Sequence, residues 1–505
     1  MKSPVNTDSV RSAPIDMSAD QFKQIGHQLV DQIAELLESL PDRPVTRSTD
    51  APTIRTLINS SRSLPENGAN PAKLINDISH TLIDHSLYNG HPGFWGYITA
   101  GATPIGVLAD FLAAAVNPNC GAWKLSPVAA EIESQSIRWI ADLIGYPTNC
   151  GGIFVSGGNM ANFVGFLSAR AAKAKWDIRK NGLGDTGAHK MITYCSAETH
   201  TWVQKAADLF GLGTNTIRWI PVDNNLQMDL TILRKTIDTD RKAGNQQFLV
   251  VGTAGSVSTG AVDPLYDIAK ICRDENLWFH VDGAYGGFAA NASLAPKELA
   301  GLSEADSVAI DPHKWLYMPL EIGCALVRDP KAMTDAFSYH PPYYHFDREV
   351  INFVDYGLQN SRGFRALKVW LALQQVGRSG YLKMIDDDIA LSQEMFSALS
   401  KEPEIETLTQ YLSIATFRYL PADLKSRTDE TPVAEYLNKL NEQIMLGIEQ
   451  SGEAFVSVAM ISGKFALRAC IVNFRTTRAD ILKFPSLVSR IGRQTDIGMR
   501  SSLNH

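Results

Sequence analysis

The apolar residues Phe22, Ile25, Leu29, Ile33, Leu36 and Leu40 recur at intervals of three or four, the period of one helix face. Ser18-Ala19-Asp20-Gln21 has the spacing of a capping box, so a helix is expected to open there, and Pro41 and Pro44 are expected to end it. Its stripe needs a cover, either its own domain or a second subunit. A Pro- and Ser-rich linker, Ser48 to Pro71, is expected next. After about Thr103 the pattern changes to short apolar runs without polar alternation: 152–155, Lys190 to Cys195, Phe248 to Gly252, Leu277 to Val281, Ser307 to Ile310 and Ile322 to Val327. Runs of this kind suit strands buried on both faces. Helical patterns lie between them at Glu131–Ile144, Met160–Lys175, Thr201–Phe210 and Leu265–Glu275, which predicts a mostly parallel α/β sheet. Beyond about Leu371 a long helical stretch is followed by mixed segments at Ile405–Tyr419, Ala454–Ala459 and Phe465–Val472. The expected division is therefore a helical segment at 1–103, a large α/β domain at 104–370 and a small α+β domain at 371–505.

Composition narrows the partners. The chain has 505 residues and a net charge of −7, without a block of lysines or arginines. That disfavours a nucleic-acid surface or a polybasic membrane patch and favours small-molecule chemistry. The six cysteines lack Cys-x-x-Cys spacing, and no run of about 18 apolar residues occurs, so a cytoplasmic protein without membrane contact is expected.

Two segments carry the chemistry. Lys314 ends Ser307-Val-Ala-Ile-Asp-Pro-His-Lys, and Asp282 lies in His280-Val281-Asp282 on the preceding apolar run. A lysine at the end of an apolar strand is partly desolvated, which frees its amine to condense with a carbonyl. An aspartate on a neighbouring strand can hold a pyridine nitrogen protonated, and the pair is what proteins supply to pyridoxal phosphate. Ser156-Gly157-Gly158-Asn159 follows a strand and opens a helix, where backbone amides and the dipole favour a phosphate. The same segment on its own reads more readily as a plain turn. His200 falls just past a strand end, where open α/β sheets bind ligands and where an imidazole can stack on a flat ring. His280 and Asp282 share a strand face and could ligate a metal, but no third ligand has suitable spacing, so no metal is expected.

Several separated motifs occur in one order: His91-Pro92-Gly93-Phe94-Trp95, Trp123-x-x-Ser126-Pro127, Ser156-Gly157-Gly158, His200, His280-Val281-Asp282, Asp311-Pro312-His313-Lys314-Trp315 and Ser361-Arg362-Gly363-Phe364-Arg365. Together they resemble the group II pyridoxal-phosphate-dependent amino-acid decarboxylases, over roughly His91 to Gly380. The resemblance implies a type I, aspartate aminotransferase-like fold in a homodimer with active sites at the subunit interface. It also implies that Lys314 carries pyridoxal phosphate covalently, Asp282 pairs with the ring nitrogen, and His200 and Ala284 cover the two ring faces. Gly158, Asn159 and Ser307 match phosphate contacts. Thr253 matches a residue near the phenolic oxygen, and His313 one that contacts phosphate or substrate. Tyr343, with Tyr344 close behind, matches a loop tyrosine that returns a proton to the substrate carbon. Two departures are Gly283, often alanine, and Gly363, often arginine.

Substrate choice is less legible. Trp95, Tyr97 and Trp123, with Phe94, offer aromatic surface, and Arg362 is a candidate substrate contact. This favours tyrosine, DOPA, phenylalanine or tryptophan. An acidic amino acid would need a cation such as Lys124. An aldehyde synthase would replace the loop tyrosine by phenylalanine. A silent pyridoxal-fold protein would lack the lysine or the aspartate, and both are present.

Overall fold

The computed structural model describes residues 13–183, 190–340 and 349–500. The chain divides into two compact units, Met1–Tyr88 and Asn89–His505.

In the first unit the predicted helix spans Ala19–Ser39, and the Ser18 side chain accepts a hydrogen bond from the Gln21 amide at 3.2 Å. Gln28 and Gln32 donate to Asn76 on a second helix, Pro71–His85. The expected linker is not wholly irregular, because a two-turn helix, Ala51–Leu57, forms within it. Asp50 caps that helix through the Thr53 amide and Pro52 sits in its first turn, two start signals that outweigh the high Pro and Ser content.

The second unit is built on a seven-stranded sheet: β1 Gly151–Val155, β2 Met191–Ser196, β3 Ile217–Ile220, β4 Gln246–Thr253, β5 Trp278–Asp282, β6 Ser307–Ile310 and β7 Gly323–Val327. The order is β1-β7-β6-β5-β4-β2-β3, parallel from β6 to β3, with β7 antiparallel to both its neighbours. All residues of β1, β2, β5, β6 and β7 are buried, as their unbroken apolar character requires. The edge strand β3 escapes the sequence pattern because it is four residues long and turns Arg218 and Trp219 outward.

A second, antiparallel sheet contains β8 Ile405–Tyr411, β9 Ile414–Tyr419, β10 Ser457–Ile461 and β11 Lys464–Cys470 in the order β10-β11-β9-β8. The helices Thr431–Ser451 and Arg478–Met499 pack with it in a separate hydrophobic core that includes Phe417, Leu440, Leu467 and Val488. The long helix Ala366–Leu399 joins the two cores, contributing Val369 and Ile385 to one and Met395 and Leu399 to the other. Register then fixes the chemistry. Thr253, the last residue of β4, pairs with Asp282, the last of β5, which pairs with Ala309 of β6. The carboxyl ends of three parallel strands therefore finish at one level, the edge where open α/β sheets bind ligands.

Candidate active site

A cavity of about 350 Å³ opens at that edge, lined by the glycine loop and by His200, Thr253, Asp282, His313 and Lys314. Gly158 starts the helix Gly158–Lys173 and directs its free amides into the cavity. A Cβ on Gly158 would lie 2.7 Å from Asp311 Oδ2 and 3.3 Å from the Ala284 methyl, so a side chain there would fill the cradle. The residues fit pyridoxal phosphate: a helix start for the phosphate, an imidazole and a methyl for the two ring faces, a carboxylate for the ring nitrogen and a lysine amine.

Asp282 is fixed from two sides. Its Oδ2 accepts from the Trp202 indole at 2.7 Å and its Oδ1 from the Ala284 amide at 3.2 Å. Thr253 is placed by its own amide, which donates to buried Asp263 at 2.8 Å, and its hydroxyl lies 3.3 Å from that of Thr199. His200 accepts at Nδ1 from the Trp202 amide, and burial holds its pKa below the usual histidine value, which favours the neutral ring. Burial lowers His313 as well, and its Nδ1 donates to the Ile322 carbonyl at 2.6 Å.

Lys314 lies one turn beyond β6, in the short helix Pro312–Trp315, and its Nζ stands 3.1 Å from Asp311 Oδ2. Its side chain is 20% exposed, so the partly desolvated setting expected from the apolar strand is accompanied by a carboxylate partner. Asp311 is 1% exposed and its Oδ1 has no partner. The motif contained Asp311, but spacing alone gave it no role. Ile98, Met160 and Tyr285 also line the cavity, and their apolar character gave no signal that separated them from core residues.

Other expected residues stand elsewhere. Ser307 begins β6, at the opposite end from the cavity, where its hydroxyl accepts from Trp278 Nε1 at 2.8 Å and meets His280 Nδ1 at 2.7 Å. It is fully buried and supports His280 instead of a phosphate. Trp95 is 2% exposed, packs edge-on against Phe484 in the second core and donates to Thr476 Oγ1 at 3.1 Å. Arg362 forms a buried ion pair with Glu133, donates to the Cys120 and Phe154 carbonyls and covers the Phe353 ring, which leaves it directed away from the cavity. Tyr97 is exposed and Trp123 half-buried, bonded to Glu131, and neither lines the cavity of its own chain. Tyr343 and Tyr344 lie outside the described residues.

His280 gives a pH test. Nε2 faces Asn162 Oδ1 at 2.7 Å and so carries the proton, leaving Nδ1 to accept from Ser307. Burial pushes its pKa down to about 4, so the folded state resists a proton that the unfolded chain takes below about 6.5. The stability it contributes is whole above pH 6.5 and is lost as pH falls towards 4, on the order of 3 kcal/mol. Urea midpoints of wild type and His280→Gln should therefore converge across that window. Parallel curves would assign the acid sensitivity to other groups.

Comparison with known proteins agrees with this geometry. The model of the pyridoxal-dependent decarboxylase conserved domain matches residues 55–419. An aromatic-L-amino-acid decarboxylase of Bacillus atrophaeus is 33% identical over 492 residues, covering 96% of this chain and 98% of the relative. A phenylacetaldehyde synthase of Arabidopsis thaliana is 26% identical over 468 residues, covering 90% of this chain and 92% of the relative. The crystal structure of Oryza sativa TDC with PLP and tryptamine superposes with a TM-score of 0.87 at 24% identity, covering 96% of this chain and 99% of that one. The fold is theirs, the cofactor is pyridoxal phosphate, and the chain belongs to the pyridoxal-dependent decarboxylase family.

Proposed function

We propose that this decarboxylase acts on an aromatic L-amino acid and releases the corresponding amine. The observation that carries the reading is the cavity wall. Among the described residues of one chain its lysine or arginine is Lys314 alone, and Ile98, Met160, Val257 and Tyr285 give it apolar surface. Among the described residues a side-chain carboxylate would meet no cation there besides the cofactor lysine, and Lys124 is exposed and away from the cavity. The similarity to an aromatic-L-amino-acid decarboxylase supports the same choice.

Bound pyridoxal phosphate supplies an electron sink that accepts the pair left when CO₂ departs. The residues of the chain do the rest. Lys314 would hold the cofactor through its amine and yield it to the substrate amine, with Asp311 beside it to accept or return a proton. Asp282, fixed by Trp202 and Ala284, would keep the pyridine nitrogen charged. His200 and Ala284 would hold the ring flat, and Gly158 and Asn159 would anchor the phosphate. Tyr343 is proposed as the proton donor that makes the product an amine, with Tyr344 as the second candidate.

We further propose a cytoplasmic homodimer in which Tyr97 and Trp123 face a partner subunit. All six cysteines are free and five are buried, in keeping with a reducing compartment. Among the described residues no helix is long and apolar enough to cross a membrane. Exposed Leu108, Phe111, Leu112 and Val116 offer apolar surface on one helix.

Measuring CO₂ release and products from the twenty amino acids tests the substrate class. Tyrosine, DOPA, phenylalanine or tryptophan should exceed glutamate and aspartate in kcat/KM by at least about tenfold. A preference for an acidic substrate overturns the aromatic reading, and aldehyde as the main product makes the chain an aldehyde synthase.

A further inference from the structure

Asp388 belongs to the long helix Ala366–Leu399 and lies outside the cavity, yet it is bonded to the turn that follows Lys314. It is 3% exposed, and its Oδ2 accepts two hydrogen bonds, from Trp315 Nε1 at 2.9 Å and from the Tyr317 hydroxyl at 2.8 Å. These donors lie one and three residues after Lys314. The Trp315 ring stacks on Tyr285, a cavity residue, with centroids 4.9 Å apart and planes 15° apart. Tyr317 has φ +56°, a left-handed conformation disfavoured for a bulky residue and sustained only where the surroundings fix it. Its amide donates to the Lys314 carbonyl at 3.2 Å, and its carbonyl accepts from Thr103 at 2.9 Å. Tyr381, two helical turns before Asp388, donates to the Leu316 carbonyl at 3.4 Å.

We propose that Asp388 is a positioning residue for the decarboxylation: by drawing Trp315 and Tyr317 onto one carboxylate oxygen it locks the strained turn and aims Lys314 Nζ into the cavity. The inference rests on Lys314 being the cofactor lysine. A neutral amide of the same shape offers one oxygen to Trp315 and Tyr317 but turns its NH2 towards the Asn473 amide, which the carboxylate also accepts, whereas an alkyl side chain offers no acceptor at all. Burial also pushes the Asp388 carboxyl up to about 7, so the site tolerates an uncharged acceptor. Geometry and not charge is therefore the property to vary.

The test uses the holoenzyme with Asp388→Asn, Asp388→Leu and Tyr317→Phe. Asp388→Leu and Tyr317→Phe should lower kcat by about tenfold or more while KM moves less than about twofold, because misplacing a reacting group costs rate and not binding. Both should also shift the visible absorbance of the lysine-bound cofactor, and Asp388→Asn, which keeps the oxygen for Trp315 and Tyr317, should be less impaired than Asp388→Leu in kcat and in spectrum. If Asp388→Leu does not fold, Tyr317→Phe carries the test. Wild-type kcat and spectrum in Tyr317→Phe overturn the proposal, as does an Asp388→Asn variant as impaired as Asp388→Leu. Borohydride reduction with peptide mapping separates the two readings. Label on another lysine sinks the Lys314 assignment, whereas label on Lys314 with unchanged kinetics sinks only the role of Asp388.

Discussion

Lys314→Ala lowers decarboxylation by at least roughly a thousandfold, the scale on which removal of a covalent catalytic group is felt, and it abolishes the visible absorbance of the lysine-bound cofactor. The fold should survive. Lys314 sits at the cavity wall with a side chain that reaches open space, and its loss leaves Asp311 facing that space instead of an apolar core. A far-UV spectrum and an unfolding midpoint close to wild type are the controls. Residual turnover above about a hundredth of wild type would mean that another amine holds the cofactor, and the role of Lys314 would have to be reassigned.

Arg362→Met has its largest effect on stability. Arg362 and Glu133 are each 1% exposed at the side chain, and the carboxylate also accepts from the Phe154 amide at 3.0 Å. Removing the guanidinium leaves a buried anion, and breaking such a pair costs about 3–5 kcal/mol. The double variant Glu133→Met/Arg362→Met should recover much of that loss, since two apolar side chains can replace a buried ion pair nearly neutrally. Urea midpoints of the wild type, both single variants and the double variant measure the coupling. A stable Arg362→Met protein with a raised KM would instead return Arg362 to the substrate-binding role that the motif suggested.

What the sequence revealed and what it hid follow from burial and from direction. The strands β1, β2, β4, β5, β6 and β7 were legible because a strand covered on both faces needs an unbroken apolar run. β3 was not, since an edge strand faces solvent and its Arg218 and Trp219 interrupt the run. The helix Leu230–Lys242 was also missed, as it buries Leu233, Ile237 and Asp240 on an otherwise charged surface. In the site, Lys314, Asp282, His200 and the glycine loop could be grouped because each ends or follows a strand, and strand ends meet at one edge, whereas Thr253 came from the family resemblance. Ser307 and Trp95 misled for the converse reason. A motif gives a position in the chain but not the end of the strand at which it falls, and Ser307 opens β6 where the cavity lies beyond its close. Trp95 lies in an aromatic motif with Phe94 and near Tyr97, yet its ring completes a different core. Asp388 left no trace, because its partners are separated from it by more than seventy residues.

The antiparallel pairing of β1 with β7 sets Val155 opposite Gly323. A Cβ on Gly323 would come within 2.5 Å of the Gly157 carbonyl carbon. The glycine loop therefore sits directly on the opening residue of a strand far along the chain, and the two sites behave as a single spacer. A side chain at Gly323 would press on Gly157, inside the loop proposed to anchor the phosphate, from a position that does not itself line the cavity. Cofactor retention should accordingly be tunable from a position that a search for binding residues would pass over, and selection for weaker or stronger holding of the cofactor has a lever there.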